Sequence, residues 1–518
     1  MSNRAAALTR AQACQRDGQW QAAEQIYRDI LAVEPQHADA WALLGILASQ
    51  VGNYPAAADA LRRACELRPT EAAFHGHLGA VYQGCNRLDE ALACYRQALE
   101  LRPNLPELHF NLGTALQAQG QAETAAACYR QALELRPAFL EALNNLGCLL
   151  AATGQLAEAV LCFRQILTLQ PTCAEAHANL GSVWRDQGLR QEAIACYRQA
   201  LALDPHDAET HQRLGQLFLE QGQLADAVNC FRRDLALRPE QAQTHNNLGT
   251  ALQELDPEHL DEALACYRRA LELQPDYADA HNNLGAALQG LGQVDEALAC
   301  YRRSLELRPD SVKIQHNLGE GLRDQGEFAE AIACYRRALE LQPDAGETQF
   351  SLSLALLAAG DFARGWKAYE ARWRAKLQKD TVRSFAQPSW DGKTHPDQSL
   401  LLYAEQGLGD TLQFIRYAVL VKPRCRQVIF ECPRALLPLL SRIRELDQLV
   451  AQGETLPEFD TQAPLLSLPR ILGTELATIP AQVPYLSADP QLVGDWQDRL
   501  REIPGFRVGI NWQGRPGP

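Results

Sequence analysis

The chain has 518 residues, 47% of them apolar but only 7% aromatic, with a single methionine. That balance favours many small, alanine-filled helix contacts over a few large aromatic cores. Sixty-three acidic against 49 basic side chains leave a formal charge of −14, which repels phosphate backbones and anionic lipid and argues against nucleic acid or membrane as partners. The N-terminal residues hold no apolar core of signal-peptide length, and no stretch approaches the roughly 18 apolar residues of a membrane span. A cytoplasmic protein is expected.

From the N-terminus onward, proline recurs at Pro35, Pro69, Pro103, Pro137, Pro171, Pro205, Pro239, Pro275, Pro309 and Pro343, in steps of 34 with one of 36. A fixed period of this length marks a repeated supersecondary unit. Let Pro106, Leu140 and Ala174 mark position 1 of their units. Glycine then holds position 8 (Gly79, Gly113, Gly147, Gly285), alanine position 20 (Ala91, Ala125, Ala159), and an aromatic position 24 (Tyr95, Tyr129, Phe163, Tyr301). Two helices crossing closely at the glycine, with the aromatic filling the wider gap to the next unit and the proline ending the second helix, account for the pattern.

Cysteine follows the same clock at Cys94, Cys128, Cys162, Cys196, Cys230, Cys266, Cys300 and Cys334. One thiol per unit, at helix-packing spacing of about 8–10 Å, lies beyond disulfide reach. These read as small buried hydrophobes in a reducing compartment. His75, His109, His177, His211, His245 and His281 likewise stand one per unit, at position 4, too far apart to share an ion. They are expected to pack, and no metal or cofactor is expected.

These motifs resemble the tetratricopeptide repeat (TPR), over residues 4–379, with ten good copies and a degenerate eleventh. The eleventh has Ser353 where glycine is expected and Gly365 where alanine is expected, then runs into GWKAYEARWRAK, a junction element. In the eighth copy two extra residues lengthen the turn, where Asp256 and Pro257 suit the opening of the second helix. The resemblance implies a superhelical solenoid with an inner groove lined by the first helix of each unit.

Position 6 carries Asn111, Asn145, Asn179, Asn247, Asn283 and Asn317, with Asn144, Asn246 and Asn282 beside three of them. An amide offers donors and an acceptor, so such a ladder can pair with the backbone of an extended peptide whatever its side chains. A similar ladder in TPR-bearing O-linked N-acetylglucosamine transferases implies the same role here. The alternative is that the amides tie neighbouring helices together, and neither role excludes the other. Position 2 is mostly acidic, at Asp39, Glu107, Glu141, Glu175, Glu209 and Asp279. Neutral or basic segments are therefore the expected ligands.

After a junction at 380–398 the helical period stops and short apolar runs alternate with amphipathic ones. Strands are predicted at 399–404, 427–431 and 447–451, an extended stretch at 463–468, and helices at 410–421, 433–444, 469–477 and 490–502. RVGINW at 507–512 reads as a further strand. The alternation predicts a parallel Rossmann-like sheet. The turn Glu405-Gln406-Gly407-Leu408-Gly409-Asp410 should then sit at its carboxyl edge, where open α/β folds bind ligands. Gly407 and Gly409 let a ligand approach the backbone, and Asp410 could also serve as the N-cap of the following helix.

The strings AEQGLGDTLQFIRY, FDTQAPLLSLP, TIPAQVPYL and VGINWQG resemble bacterial TPR proteins with a glycosyltransferase-B domain, related to heptosyltransferases. The resemblance implies a mainly α chain: the TPR superhelical solenoid followed by an incomplete α/β Rossmann-like half-domain at 399–506, with 507–518 opening a second domain. It implies sugar transfer from a nucleotide sugar to a protein or glycan acceptor in a full-length relative, with Asp410 as general base and Glu405 as a second candidate carboxylate. The donor-binding half is not expected in this sequence. A non-catalytic protein-interaction scaffold is the alternative.

Overall fold

A computed structural model describes residues 2–374, 383–483 and 485–501. Packing divides the chain into two units, Met1–Leu273 and Gln274–Pro518.

In the first unit helix follows helix in antiparallel pairs, as the proline period predicts. The pair Pro106–Ala118 and Ala122–Leu135 shows how the sequence sets the bounds. Gly120, at φ +77°, takes the left-handed conformation after the first helix. The amide of Gln121 then reaches back 2.9 Å to the Leu116 carbonyl, the bond that closes a Schellman turn. Asn86, at φ 58°, holds this slot in its own unit, asparagine being the side chain that tolerates it best. The second helix stops at Leu135 because Arg136, ahead of Pro137, is pushed to an extended conformation.

The position-8 glycine meets the position-24 ring of its own unit. A Cβ on Gly79 would stand 2.7 Å from Tyr95 Cε1, and one on Gly147 2.8 Å from Phe163 Cζ. The ring hydroxyls are satisfied inside the unit. Tyr95 donates to Gln83 Oε1 at 2.9 Å and Tyr129 to Gln117 Oε1 at 2.7 Å. In the eighth copy the two extra residues form a 3-10 turn, Pro257–His259, with Asp256 accepting from the Glu258 amide at 2.9 Å. Asp256 thus caps that turn, and the helix Leu260–Leu273 follows it. All fifteen cysteines are free, and burial pushes the thiols of Cys94, Cys162, Cys230 and Cys266 up to about 11.

The second unit carries the remaining helix pairs and the sheet. The eleventh copy is shortened: Gly346–Ala358 pairs with Phe362–Tyr369, which gives way to a 3-10 turn at Glu370–Trp373. Ser353 is fully buried and bonds the Phe350 carbonyl at 2.5 Å. Phe350, Leu354, Leu357 and Trp366 of this copy pack into the same core as the sheet.

Four strands, β1 (His395–Tyr403), β2 (Cys425–Cys432), β3 (Gln448–Ala451) and β4 (Thr461–Pro464), form one sheet in the order β3-β2-β1-β4. Every pairing is parallel, as the alternation predicts. Leu400, Leu402, Val428, Phe430 and Ala463 face the core shared with the eleventh repeat. Leu401, Ile429 and Val450 face the other way, against Phe385, Leu456 and Phe459, so both faces are covered, as parallel sheets require.

Several helices are shorter than predicted. The stretch 410–421 is a helix at Leu408–Phe414, a 3-10 turn and a short helix at Ala418–Val421. That at 433–444 ends at Leu440. That at 469–477 stops at Ile471, because Gly473 turns left-handed at φ 63°. Pro490–Leu500 matches, capped by Asp489. The apolar stretch at 463–468 is the end of β4 followed by a 3-10 turn, Leu465–Ser467. RVGINW at 507–512 lies outside the described residues. Among the described residues no helix is long and apolar enough to cross a membrane.

Candidate functional site

The asparagines at position 6 share one helical register, and Asn111, Asn145, Asn179, Asn247, Asn283 and Asn317 are all half-buried. Several bond from one unit to the next. Asn179 donates to Asn144 Oδ1 at 3.0 Å, Asn247 to Gln216 Oε1 at 3.1 Å, and Asn317 to Asn282 Oδ1 at 2.9 Å. Asn145 bonds the Tyr129 hydroxyl, and Asn283 accepts from Asn282 at 3.3 Å. Asn179 also donates to Cys148 Sγ at 3.7 Å and Asn247 accepts from Asn246 at 3.5 Å. Of the two donors and two acceptor sites of an amide, the inter-unit bond of Asn317 therefore uses one donor, and Asn247 uses one donor and one acceptor.

Arginine neutralises much of the acidic row at position 2. Arg68 pairs with Asp39, Arg136 with Glu107, Arg308 with Asp279 at 2.8 Å, and Arg213 with Glu209. Glu175 instead accepts from Asn144 at 2.8 Å. Three of these arginines, Arg68, Arg136 and Arg308, come from the Leu-Arg-Pro string that ends their own units, a signal that the acidic count alone misses.

The histidines at position 4 clamp the connection that precedes their helix. Nε2 lies 2.9 Å from the Pro69 carbonyl in His75, 2.8 Å from Pro103 in His109 and 2.9 Å from Pro239 in His245. His177, His211 and His281 repeat the bond to Pro171, Pro205 and Pro275. Trp41 and Gln349 make it in their own units, at 2.9 Å and 2.6 Å. Any side chain with an N–H at this reach serves, which makes the role structural. No group of three or more metal-ligating side chains occurs among the described residues.

In the second unit the turn 405–410 lies at the carboxyl end of β1. Gly407, not Asp410, is the N-cap of Leu408–Phe414, and Asp410 stands in the first turn. A Cβ on Gly407 would lie 3.5 Å from Asp410 Oδ2, whereas one on Gly409 would meet nothing within 4 Å. Both glycines are exposed and Asp410 is half-buried.

Glu405 has a different setting. Its side chain is 1% exposed and its Oε1 accepts from Arg372 Nε at 3.2 Å and Nη2 at 2.8 Å. Arg372 is fully buried, stacks 4.4 Å from the Trp373 ring, and also reaches Glu370 Oε1 at 3.0 Å and Ser467 Oγ at 2.7 Å. Burial raises the Glu405 carboxyl to about 7 despite Arg372, with Glu370 adding to the rise. One guanidinium is shared by the two carboxylates, so Glu405 has no counter-ion of its own. The cluster stitches the end of the last repeat onto the loops after β1 and β4. Sequence reasoning missed Arg372, whose partners Glu405 and Ser467 lie 33 and 95 residues away.

Comparison with known proteins follows the repeats. The family model of the cilia and flagella-associated protein 70 C-terminal domain matches residues 72–291. Two tetratricopeptide repeat models match residues 276–344, and 8–72 with 316–380. Among solved structures, YrrB, described as a TPR protein with an unusual peptide-binding site, is 25% identical, with 38% of this chain and 97% of that one covered and a TM-score of 0.32. TTC0263, described as a thermophilic TPR protein in Thermus thermophilus, is 27% identical over 36% of this chain and all of its own, at a TM-score of 0.31. The Cut9–Hcn1 hetero-tetramer of APC/C is 14% identical over 71% of this chain and 92% of that one, at a TM-score of 0.40. No curated protein matches the chain. The repeat matches together run from residue 8 to residue 380.

Proposed function

We propose that the chain is a protein-interaction scaffold whose repeats hold an extended peptide segment along the asparagine face. The observation that carries this is the half-buried amide recurring at position 6 in one register from unit to unit, Asn247 and Asn317 each donating one bond to the neighbouring unit. Amides in register can follow a peptide backbone without reading its side chains. Because arginine offsets Asp39, Glu107, Glu209 and Asp279, a preference for basic segments is confined to the neighbourhood of Glu141 and Glu175. Replacing Asn145, Asn179 and Asn247 together by alanine should weaken binding of peptides selected from a random library by tenfold or more, about 1.4 kcal/mol. Circular dichroism should show the helices intact. Unchanged affinity in a folded triple variant removes the reading.

A second reading is a sugar-transfer module at 399–506. One observation favours it, the parallel order β3-β2-β1-β4 with an open glycine turn at the carboxyl edge, the place where such sheets take ligands. In it Asp410 is the base, since the Glu405 carboxylate is held by Arg372. Incubation with labelled nucleotide sugars and candidate acceptors tests it: absence of both donor binding and transfer leaves the scaffold.

A further inference from the structure

A cavity of about 320 Å³ in the second unit is lined by Arg416, Arg442, Arg444, Glu445, Gln482 and Tyr485 among others, and by no residue of the Glu405 cluster. Its size sits at the small end of ligand pockets, about 300–1,000 Å³. In a chain of net charge −14, three arginines and one glutamate line this cavity. Arg442 is neutralised by Asp489, whose own carboxylate is held low chiefly by the Gln491 and Leu492 amides. Arg416 and Arg444 have no carboxylate partner among the described residues.

Arg416 is held in place. Its guanidinium lies 4.4 Å from the Tyr485 ring centroid, its Nε donates to the Gln413 carbonyl at 2.9 Å, and its Nη1 donates to the Pro480 carbonyl at 3.4 Å. A guanidinium has five N–H donors, so three remain for a ligand, on a group already fixed by stacking. Arg444, which lines the same cavity, is exposed.

We infer that this cavity binds a phosphate group, either free phosphate or the phosphoryl end of a small ester. A tetrahedral dianion accepts from two guanidiniums at once and outweighs the repulsion of Glu445, which a monocarboxylate does less well. The test is calorimetric titration of the whole chain with inorganic phosphate, glycerol phosphate and acetate at low ionic strength. Saturable phosphate binding is expected, at least tenfold tighter than acetate and weakening as salt is raised. Arg444→Gln, which breaks no described contact, should weaken it severalfold at unchanged melting temperature, and adding Arg416→Gln should remove it. Tighter binding of glycerol phosphate identifies an ester as the ligand, and equal affinity identifies free phosphate. No saturation, acetate binding as well as phosphate, or wild-type affinity in Arg444→Gln would each overturn the inference.

Discussion

Arg372→Met is expected to destabilise the unit that carries the sheet by about 3–5 kcal/mol, the cost of stranding buried charge. Arg372 is fully buried and serves Glu405, Glu370 and Ser467 at once. Methionine matches the length of the stem but leaves the Glu405 carboxylate, 1% exposed, without its counter-ion. Urea unfolding followed by tryptophan fluorescence reads the loss, since Trp366, Trp373 and Trp390 surround the cluster or its core. A midpoint unchanged from wild type would mean that the cluster contributes nothing.

The same cluster sets a pH dependence. The Glu405 carboxyl is raised from 4.5 to about 7, so the folded state binds its proton more tightly than the unfolded chain does. Its contribution is complete below pH 4.5 and is lost as pH rises through 7. Glu405→Gln, which keeps an acceptor for Arg372, should flatten the decline of stability over that window. A slope identical to wild type contradicts the assignment.

Gly285→Ala is expected to cost about 1–3 kcal/mol, the price of overpacking a close contact. A Cβ there would stand 2.7 Å from Tyr301 Cε1 and 3.2 Å from the Ala297 carbonyl. The Tyr301 ring is 1% exposed and its hydroxyl is tied to Gln289 at 2.9 Å, so it cannot swing aside. Gly290, at the end of the same helix, is the control: a Cβ there meets nothing within 4 Å, and Gly290→Ala should be neutral or stabilising by up to about 1 kcal/mol. Thermal melts of the two variants should therefore move apart. Equal shifts would show that the glycine rule is compositional rather than steric.

The repeats were legible because each boundary is written locally, as a proline that ends a helix and a small residue at a fixed distance from it. The glycine–aromatic contact could be anticipated in kind, but its partner could not: Gly79 meets Tyr95 of its own second helix. The parallel sheet was legible from the alternation of strands and helices. Its helices were overdrawn, because apolar periodicity at 433–444 and 469–477 does not register that Pro438 and Pro469 open one-turn helices, or that Gly473 turns left-handed just after the second of them. The turn at 405–410 was found, but the different settings of its carboxylates were not. Glu405 and Asp410 look alike in sequence, and only the distant Arg372 separates a buried ion pair from a half-open side chain.

The central claim is that a bound segment runs across the asparagine face. It is tested most directly by photo-crosslinking a selected peptide, carrying a reactive group at successive positions, and mapping the adducts by mass spectrometry. The account predicts adducts on first helices such as Pro106–Ala118, Leu140–Ala152 and Ala174–Asp186, advancing by one repeat as the probe moves along the peptide. Adducts confined to second helices such as Ala122–Leu135 and Leu156–Leu169, or scattered without order, would contradict it.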